Sequence, residues 1–485
     1  MEVPTDRRFA ITLLTMLTLL GIAQPGNTAE QGDKPNVLMI AIDDLNDWIG
    51  PMGIQPGAYT PNLNKLAARG VLFTNAHCQA PLCGPSRASL LTGLRPSTTG
   101  IYGMIDDDSI KHASAATREN ILLPEYFKNH GYKTMGVGKI FHQSAPKGVF
   151  DLFGGRAKGF GPSPATRFHW NKPKTSTDWG AFPENDEEMP DYQSAHWAID
   201  RLQEQHDQPF FLAIGFLRPH VPWYVPQKWF DLVAGKGVAT PPYLADDMND
   251  VPDIGKRLTE MSMMPTTEWA IQHGQWQRMC EAYAACVAFV DHYVGEVVKA
   301  LDASPYKDNT VIVLWSDHGY HMGEKNRFAK SSLWDRSTRV PLLIVPPATT
   351  MAGQQCAQPT ELLDIYPTLL ELCGLPQNRQ LEGHSLVKLL HNPTARWPHA
   401  AICTYARNNH SIRFGNIRYI RYEDGSEELY DHRSDPNEWK NVANRPEYRR
   451  QKERMKTYLP TANVVWADAS GYDYNEYLKQ QKRTQ

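Results

Sequence analysis

The chain has 485 residues, 41% hydrophobic and 21% charged, with a formal net charge of −3. This is ordinary globular composition in a chain long enough for more than one domain, and it supplies no basic surface for nucleic acid. The 7 cysteines, with no Cys-x-x-Cys among them, are too few and too irregularly spaced for a disulfide scaffold.

Residues 1–29 read as an export signal: Arg7-Arg8, an apolar run over 9–22, and a small-residue cleavage site at Asn27-Thr28-Ala29. No apolar run reaches the roughly 20 residues that span a bilayer. The expectation is an exported protein, periplasmic or secreted, with no membrane span in its mature form.

Asn36–Ile42 is a continuous apolar run ending in Asp43-Asp44. That pattern predicts a buried central strand of a parallel sheet, with carboxylates at the end where such sheets bind ligands. A first crossover helix is predicted over 61–69, and a short strand over 71–73 leads toward Cys83. In Cys83-Gly84-Pro85-Ser86-Arg87, running on to Thr92-Gly93, Pro85 suits a first helical turn and Gly93 a helix stop. Cys83 at a helix start, with Arg87 one turn on, reads as an electrostatically poised thiol. Cys78 lacks the flanking Pro and Arg and reads as structural.

A helix over 123–129 and a strand over 134–137 lead to Lys139 and His142. Residues 145–191, rich in Pro, Gly and aromatics, read as an elaborated loop over the site, with Trp170 and Trp179 as candidates to stack on sugar rings. A helix over 194–203 takes Ser194 as its N-cap. A strand over 209–215 precedes His220, which lies between Pro219 and Pro222 in what reads as a stiff extended segment. Residues 235–265 read as irregular, and 275–301 as a long core-facing helix. A strand over 310–315 closes in Ser316-Asp317-His318-Gly319, with Lys330 on the loop beyond. A further strand follows over 340–345, then a helix over 361–373. From about 399 the strands shorten, and 412–414 and 417–422 flank the hairpin signal Gly415-Asn416.

The alternation of strands and helices predicts an α/β fold: a large mixed, mainly parallel sheet between helices over 30–395, then a smaller C-terminal subdomain with an antiparallel sheet over 396–485. A parallel sheet brings its C-terminal strand ends to one edge, so Asp43, Asp44, Lys139, His142, His220, Asp317 and His318 converge there. Three Asp form a hard oxygen set for Ca²⁺ or Mg²⁺, with zinc a rival because of His318. Arg87, Lys139 and Lys330 add fixed positive charge, and His142 and His220 can move protons. Together these make a site for an oxyanion ester.

The same stretches resemble type I sulfatases of the alkaline-phosphatase-like superfamily along almost the whole mature chain. The likeness is nearest to iduronate-2-sulfatases and their bacterial relatives. It rests on Ile42-Asp43-Asp44-Leu45, Cys83-Gly84-Pro85-Ser86-Arg87, Thr92-Gly93-Leu94-Arg95-Pro96, Gly138-Lys139-Ile140-Phe141-His142, Arg218-Pro219-His220-Val221-Pro222, Ser316-Asp317-His318-Gly319 and Ala329-Lys330. His318 points to this branch; Gln143, where the family pattern has Pro, is a departure.

The resemblance implies a sulfuric ester hydrolase of alkaline-phosphatase-like architecture. Cys83 would be converted to formylglycine by a formylglycine-generating enzyme and hydrated to a gem-diol whose hydroxyl attacks sulfur. Asp43, Asp44, Asp317 and His318, with the residue-83 oxygen, would bind one Ca²⁺. Arg87, Lys139 and Lys330 would stabilise the sulfuryl oxygens. His220 would protonate the leaving sugar oxygen, and His142 would deprotonate the second hydroxyl to expel sulfate. The implied substrate is a sulfated oligosaccharide, first the 2-O-sulfate of a uronate in a heparan- or dermatan-type glycosaminoglycan, next an algal polysaccharide. Lys139, His220 and Lys330 would touch the substrate, and Arg407, Asn409 and His410 would reach its carboxylate. Rivals are a phosphonate monoester or phosphodiester hydrolase on the same scaffold, a zinc hydrolase, and a sulfated-glycan binding protein in which Cys83 stays a thiol.

Overall fold

The structure, a computed structural model, describes residues 34–347 and 351–484, so the export-signal reading of 1–29 lies outside the described residues. Its centre is a nine-stranded sheet. The main strands are β1 (Asn36–Ile42), β2 (Val71–His77), β3 (Lys133–Gly138), β4 (Phe210–Phe216), β5 (Thr310–Ser316) and β6 (Arg339–Val345). They lie in the order β2-β6-β5-β1-β4-β3, with short strands Gln354–Cys356 and Leu152–Phe153 at the two ends. β1 is parallel to β4 and β5, and β3 to β4. β6 runs antiparallel to both β5 and β2.

β1 shows why the runs are continuously apolar. All seven of its residues are buried. Val37, Met39 and Ala41 enter one core, and Leu38, Ile40 and Ile42 enter the other, as the two-residue period of a strand requires. Helices α1 (Pro61–Ala67), α2 (Cys83–Thr92), α3 (Leu123–Asn129), α4 (Pro190–Gln203), α5 (Trp276–Asp302) and α6 (Ile365–Leu372) divide between the faces. α2, α3 and α6 cover the first core. α1, α4 and α5 cover the second. Among the described residues no helix is long and apolar enough to cross a membrane.

Several boundaries differ from the sequence reading. α4 starts at Pro190, with Met189 as its N-cap, so Ser194 is a buried interior residue and not a cap. Proline at a first helical position has its φ already set for the helix and lacks one of the N–H groups that a helix start leaves unpaired. The stretch read as irregular over 235–265 contains the helix Asp253–Thr259.

The C-terminal strands β7 (Ala401–Thr404), β8 (His410–Phe414), β9 (Ile417–Arg421) and β10 (Glu427–Asp431) form an antiparallel sheet in sequence order. Phe414 sits opposite Ile417 across the hairpin, and Gly415 takes φ 54°, a conformation glycine adopts without steric cost. Ile412, Tyr419 and Leu429 pack with Met455 of α7 (Arg449–Lys456). The opposite face sends Cys403, Ile420 and Tyr430 into the first core.

Candidate active site

The parallel strands deliver their C-terminal ends to one edge. Asp43 and Asp44 follow β1, Lys139 follows β3, His220 lies four residues past β4, and Asp317 and His318 follow β5. Two glycines let the ends of β3 and β4 close up. A Cβ on Gly138 would lie 2.1 Å from the Gly215 oxygen, and one on Gly215 would lie 2.1 Å from the Lys139 carbonyl carbon. Their absence lets Lys139 N donate to Gly215 O at 2.9 Å. Cys83 is the first residue of α2, and Gly93 ends that helix at φ 71°, its N–H donating to Ser89 O at 2.8 Å.

The polar side chains at this edge are almost wholly buried. Arg87, 1% exposed, donates through Nε to Asp317 Oδ2 at 2.9 Å and through Nη2 to Asp43 Oδ1 at 3.2 Å. Its Nη1 donates to the carbonyls of Lys139 and Ile140. Lys139 Nζ pairs with the other oxygen of Asp43, and Lys330 Nζ with Asp44 Oδ1 at 2.6 Å. Asp44 stands at φ 61°, a region that few non-glycine residues enter and that Asp tolerates best. Cys83 Sγ lies 3.1 Å from His318 Nε2.

The fit to a cation follows from hydrogen-bond bookkeeping. His318 Nδ1 lies 3.0 Å from Gly319 O. A carbonyl can only accept, so Nδ1 carries its hydrogen and Nε2 is turned inward. That Nε2 faces Asp44 Oδ1 at 3.4 Å and Asp317 Oδ2 at 3.7 Å. Asp44 Oδ2 is buried with no hydrogen-bond partner. Ligand atoms of Asp43, Cys83, Asp317 and His318 lie within 4.8 Å of one another, and an overlapping group comprises Asp43, Asp44, Cys83 and His220. Carboxylate oxygens that crowd without enough donors are a hard-cation site. Three carboxylates already face Arg87, Lys139 and Lys330, so a dication and an anionic ester entering together add little net charge.

Burial and neighbours split the titrating groups. Burial alone would raise the Asp43 carboxyl, but the charges of Lys139, Arg87 and Lys330 hold it well below the usual range. Burial raises Asp44, aided by Asp43 and Asp317 and only partly opposed by Lys330. Burial lowers His220 well below an ordinary imidazole, helped by the Lys330 charge. His142 falls to about 3 through burial and then Lys139. The Cys83 thiol is pushed up by burial and by Asp43. This corrects the reading of a poised thiol: dehydration outweighs the helix start, and the Arg87 donors go to carboxylates and carbonyls.

His220 sits in a turn rather than an extended segment, its N–H donating to Leu217 O at 2.8 Å. His220 Nδ1 meets Val221 O at 2.6 Å, which leaves Nε2, 4.0 Å from Asp44 Oδ2, as the atom that can exchange a proton. His142 stands at the rim, half-buried, its Nδ1 without a partner.

Other expected contacts do not form as read. Trp170 and Trp179 are 6% and 1% exposed, so neither face is open to a sugar. Asn409 is fully buried, its amide donating to Arg407 O and accepting from Glu423 N. The amide of half-buried Arg407 is taken by Gln481 of α8 (Glu476–Arg483), and its Nε by Asn463 O. Buried His410 bonds Thr404. Asn409 and His410 are buried and offer no open face to a carboxylate, while half-buried Arg407 ties the C-terminal segment down through its amide and Nε.

Three residues escaped the sequence reading. Asp107 accepts the amides of His142, Gln143 and Ser144 at 3.2, 2.6 and 3.0 Å and so holds the loop that carries His142. Phe160, from the loop over the site, stacks on His220 with ring centroids 4.3 Å apart. The Tyr283 hydroxyl donates to Asp44 O at 2.8 Å. Asp107 lies in an Asp106-Asp107-Asp108 run that looks like a solvated turn, and the other two carry no local signal.

Comparison with known proteins follows this geometry. The Sulfatase family profile matches residues 35–375, and one for the N-sulphoglucosamine sulphohydrolase C-terminal region matches 323–465. A sulfatase of Formosa agariphila is 51% identical over 462 residues, covering 93% of this chain and 91% of that protein. Iduronate 2-sulfatase of Mus musculus is 31% identical, covering 76% and 73%. A Delta 4,5-hexuronate-2-O-sulfatase of Bacteroides thetaiotaomicron is 28% identical, covering 88% and 89%. Among solved structures, the phosphonate monoester hydrolase of Agrobacterium radiobacter aligns with TM-score 0.69 at 23% identity over 87% of this chain and 94% of its own. A structure described as a 2-O GAG sulfatase aligns with TM-score 0.64 at 23% identity over 93% and 94%. At that identity both speak for the fold alone.

Proposed function

The chain belongs to the sulfatase family, a sulfuric ester hydrolase, and from that premise we propose that it removes the 2-O-sulfate of a uronate in a sulfated glycan. The observation that carries the reading is the convergence of Asp43, Asp44, Asp317 and His318 on residue 83, with Lys139 and Lys330 beside them. The uronate rests on the relatives named for iduronate and hexuronate 2-sulfates.

Asp43, Asp44, Asp317 and His318 would hold the cation, Ca²⁺ by the hardness of the oxygen set; when bound, it polarises the ester and favours an ionised nucleophile. Conversion of Cys83 to formylglycine is the second requirement, and it would put oxygen in place of the Sγ that lies beside His318 Nε2. Arg87 keeps Asp43 and Asp317 in place through its Nη2 and Nε. Lys139 and Lys330 carry the positive charge that an incoming sulfuryl group meets. His220 Nε2 is the atom placed to hand a proton to the departing sugar oxygen. Burial keeps that imidazole neutral without substrate, and an anion bound beside it raises its proton affinity. His142, held by Asp107, is the second proton-transfer group. Phe160 excludes water from the outer face of His220. We infer export from the 1–29 leader, to be checked by N-terminal sequencing of the mature protein.

The test is a panel of defined sulfated disaccharides, assayed with protein whose residue 83 is shown by intact mass to be lighter than cysteine. Desulfation at the uronate 2-position is the expected outcome. If every 2-sulfated uronate is untouched while another sulfate position is cleared, the substrate assignment fails. Faster turnover of an aryl phosphonate than of an aryl sulfate would overturn the sulfate ester itself in favour of the phosphonate reading.

A further inference from the structure

Beside the catalytic edge lies a cavity of about 540 Å³ whose wall includes Lys256, Glu260, Lys325, Arg327 and Ala329. Ala329 precedes Lys330, whose Nζ reaches Asp44. Arg327 is 7% exposed. Its Nη2 donates to Lys330 O at 2.7 Å, while Nε and Nη1 have no partner. Among the described residues it makes no ion pair, as is also true of the buried Arg218 and Arg413, whereas Arg87, Arg95 and Arg418 each face a carboxylate within 3.2 Å. Burial pulls the Arg327 guanidinium down to about 10, and the titratable side chains around it are the phenols of Tyr405, Tyr320 and Tyr472. The other cations on the wall are committed or exposed: Lys325 is held by Asp247 at 2.6 Å, and Lys256 stands 3.9 Å from Asp253 at the surface. Through Lys330, whose carbonyl accepts from Arg327 and whose Nζ pairs with Asp44, the guanidinium is one residue removed from the catalytic cluster.

A buried charge without a counter-ion is costly, and a chain that retains one beside an oxyanion site gains when a second anion arrives. We propose that this cavity is a subsite for a second oxyanion of the substrate, a sugar carboxylate or a further sulfate, with Arg327 as its counter-charge. The inference rests on the sulfated-uronate reading above. Glu260 is the carboxylate on the same wall.

The experiment compares kcat/KM for each sulfated disaccharide that is turned over with that for its carboxyl methyl ester, and with that for its analogue lacking the other sulfate. The full-length protein should prefer the doubly anionic form by about tenfold or more. The arm that loses the preference identifies which anion is bound. Arg327→Gln, which keeps a donor for Lys330 O but removes the charge, should bring the ratio to within about twofold, and Arg327→Lys should retain most of it. Being a ratio, it is blind to a general loss of activity. A full-length protein indifferent to both modifications overturns the proposal even if no variant folds, and so does an Arg327→Gln enzyme with the ratio intact. If no sulfated uronate is hydrolysed, the substrate reading fails by itself. The cavity is then judged by calorimetric titration with glucuronate: binding lost in Arg327→Gln supports it, and binding absent or unchanged overturns it.

Discussion

Among the described residues two regions bring metal-ligating atoms together, and only one leaves its carboxylates with acceptor capacity to spare. At the sheet edge, Asp43, Asp44, Asp317 and His318 crowd Cys83, and Asp44 Oδ2 is left without a partner. Beneath the C-terminal sheet, Asp335, His432 and Glu438 come equally close. There the negative charge is already spent. Arg418 pairs with Asp335 at 2.6 Å and Glu438 at 2.6 Å, Arg339 with Asp335 at 2.9 Å, and His432 with Glu438 at 2.8 Å. Burial would raise Asp335, yet Arg339 and Arg418 hold it well below the ordinary range; burial of Asp44 wins instead. Proximity of ligand atoms is therefore a weak criterion. What distinguishes a cation site is acceptor capacity that guanidinium groups have not closed off.

The sharpest way to break the comparison is to remove one acid from each cluster's charge scheme. Asp317→Asn should lower kcat/KM on an aryl sulfate by at least about a thousandfold, about 4 kcal/mol of barrier, through loss of a cation ligand and of the Arg87 anchor. Arg418→Leu should do the reverse. It takes the shared arginine from two buried carboxylates and costs about 3–5 kcal/mol of stability, read from denaturant midpoints, while activity per folded molecule stays near that of the parent. If Arg418→Leu abolishes turnover in protein that is still folded, the second cluster is not merely a clasp.

Chelation comes next in size. Stripping the protein with EDTA should abolish sulfatase activity, and Ca²⁺ should restore it at one equivalent per chain, because the Arg-closed cluster offers no second site. At a hundredfold excess over Kd, Ca²⁺ should add about 2.7 kcal/mol to stability by mass action. Two equivalents bound at similar affinity would erase the distinction between the clusters.

The sequence made the first cluster legible and hid the second. β1, β4 and β5 are continuous apolar runs closed by charged residues, and the rule that parallel sheets gather their strand ends then assembles Asp43, Lys139, His220 and Asp317 without coordinates. The antiparallel course of β6 was not legible, because strand direction leaves no mark on a run buried on both faces. Asp107 meets the His142 amide across 35 positions and Tyr283 meets Asp44 across 239, and neither spacing has a local pattern. Trp170, Trp179, Asn409 and His410 were candidates by residue type alone; what they touch was decided by packing. That Arg327 has no carboxylate partner among the described residues is visible only once the chain is folded.

The smallest expected effect sits at the rim of the second region, where screening weakens everything that burial strengthens at its centre. Glu427 of β10 accepts from the Tyr419 hydroxyl at 2.7 Å and pairs with Lys452 at 2.9 Å and Lys456 at 3.1 Å. Burial would raise its carboxyl, but Tyr419 and the two lysines bring it down to about 2, below its ordinary value of 4.5. A depressed carboxylate stabilises the fold above the unfolded value and loses that contribution as pH falls through the folded one. Glu427→Gln should therefore cost about 0.2–1 kcal/mol at pH 7, the range of partly exposed ion pairs, and the deficit should shrink between about pH 4.5 and 2. Asp335 titrates with the same sign, so the overall acid slope says little; the difference between parent and variant isolates Glu427. A deficit that persists undiminished at pH 2 would mean that the side chain contributes packing rather than charge.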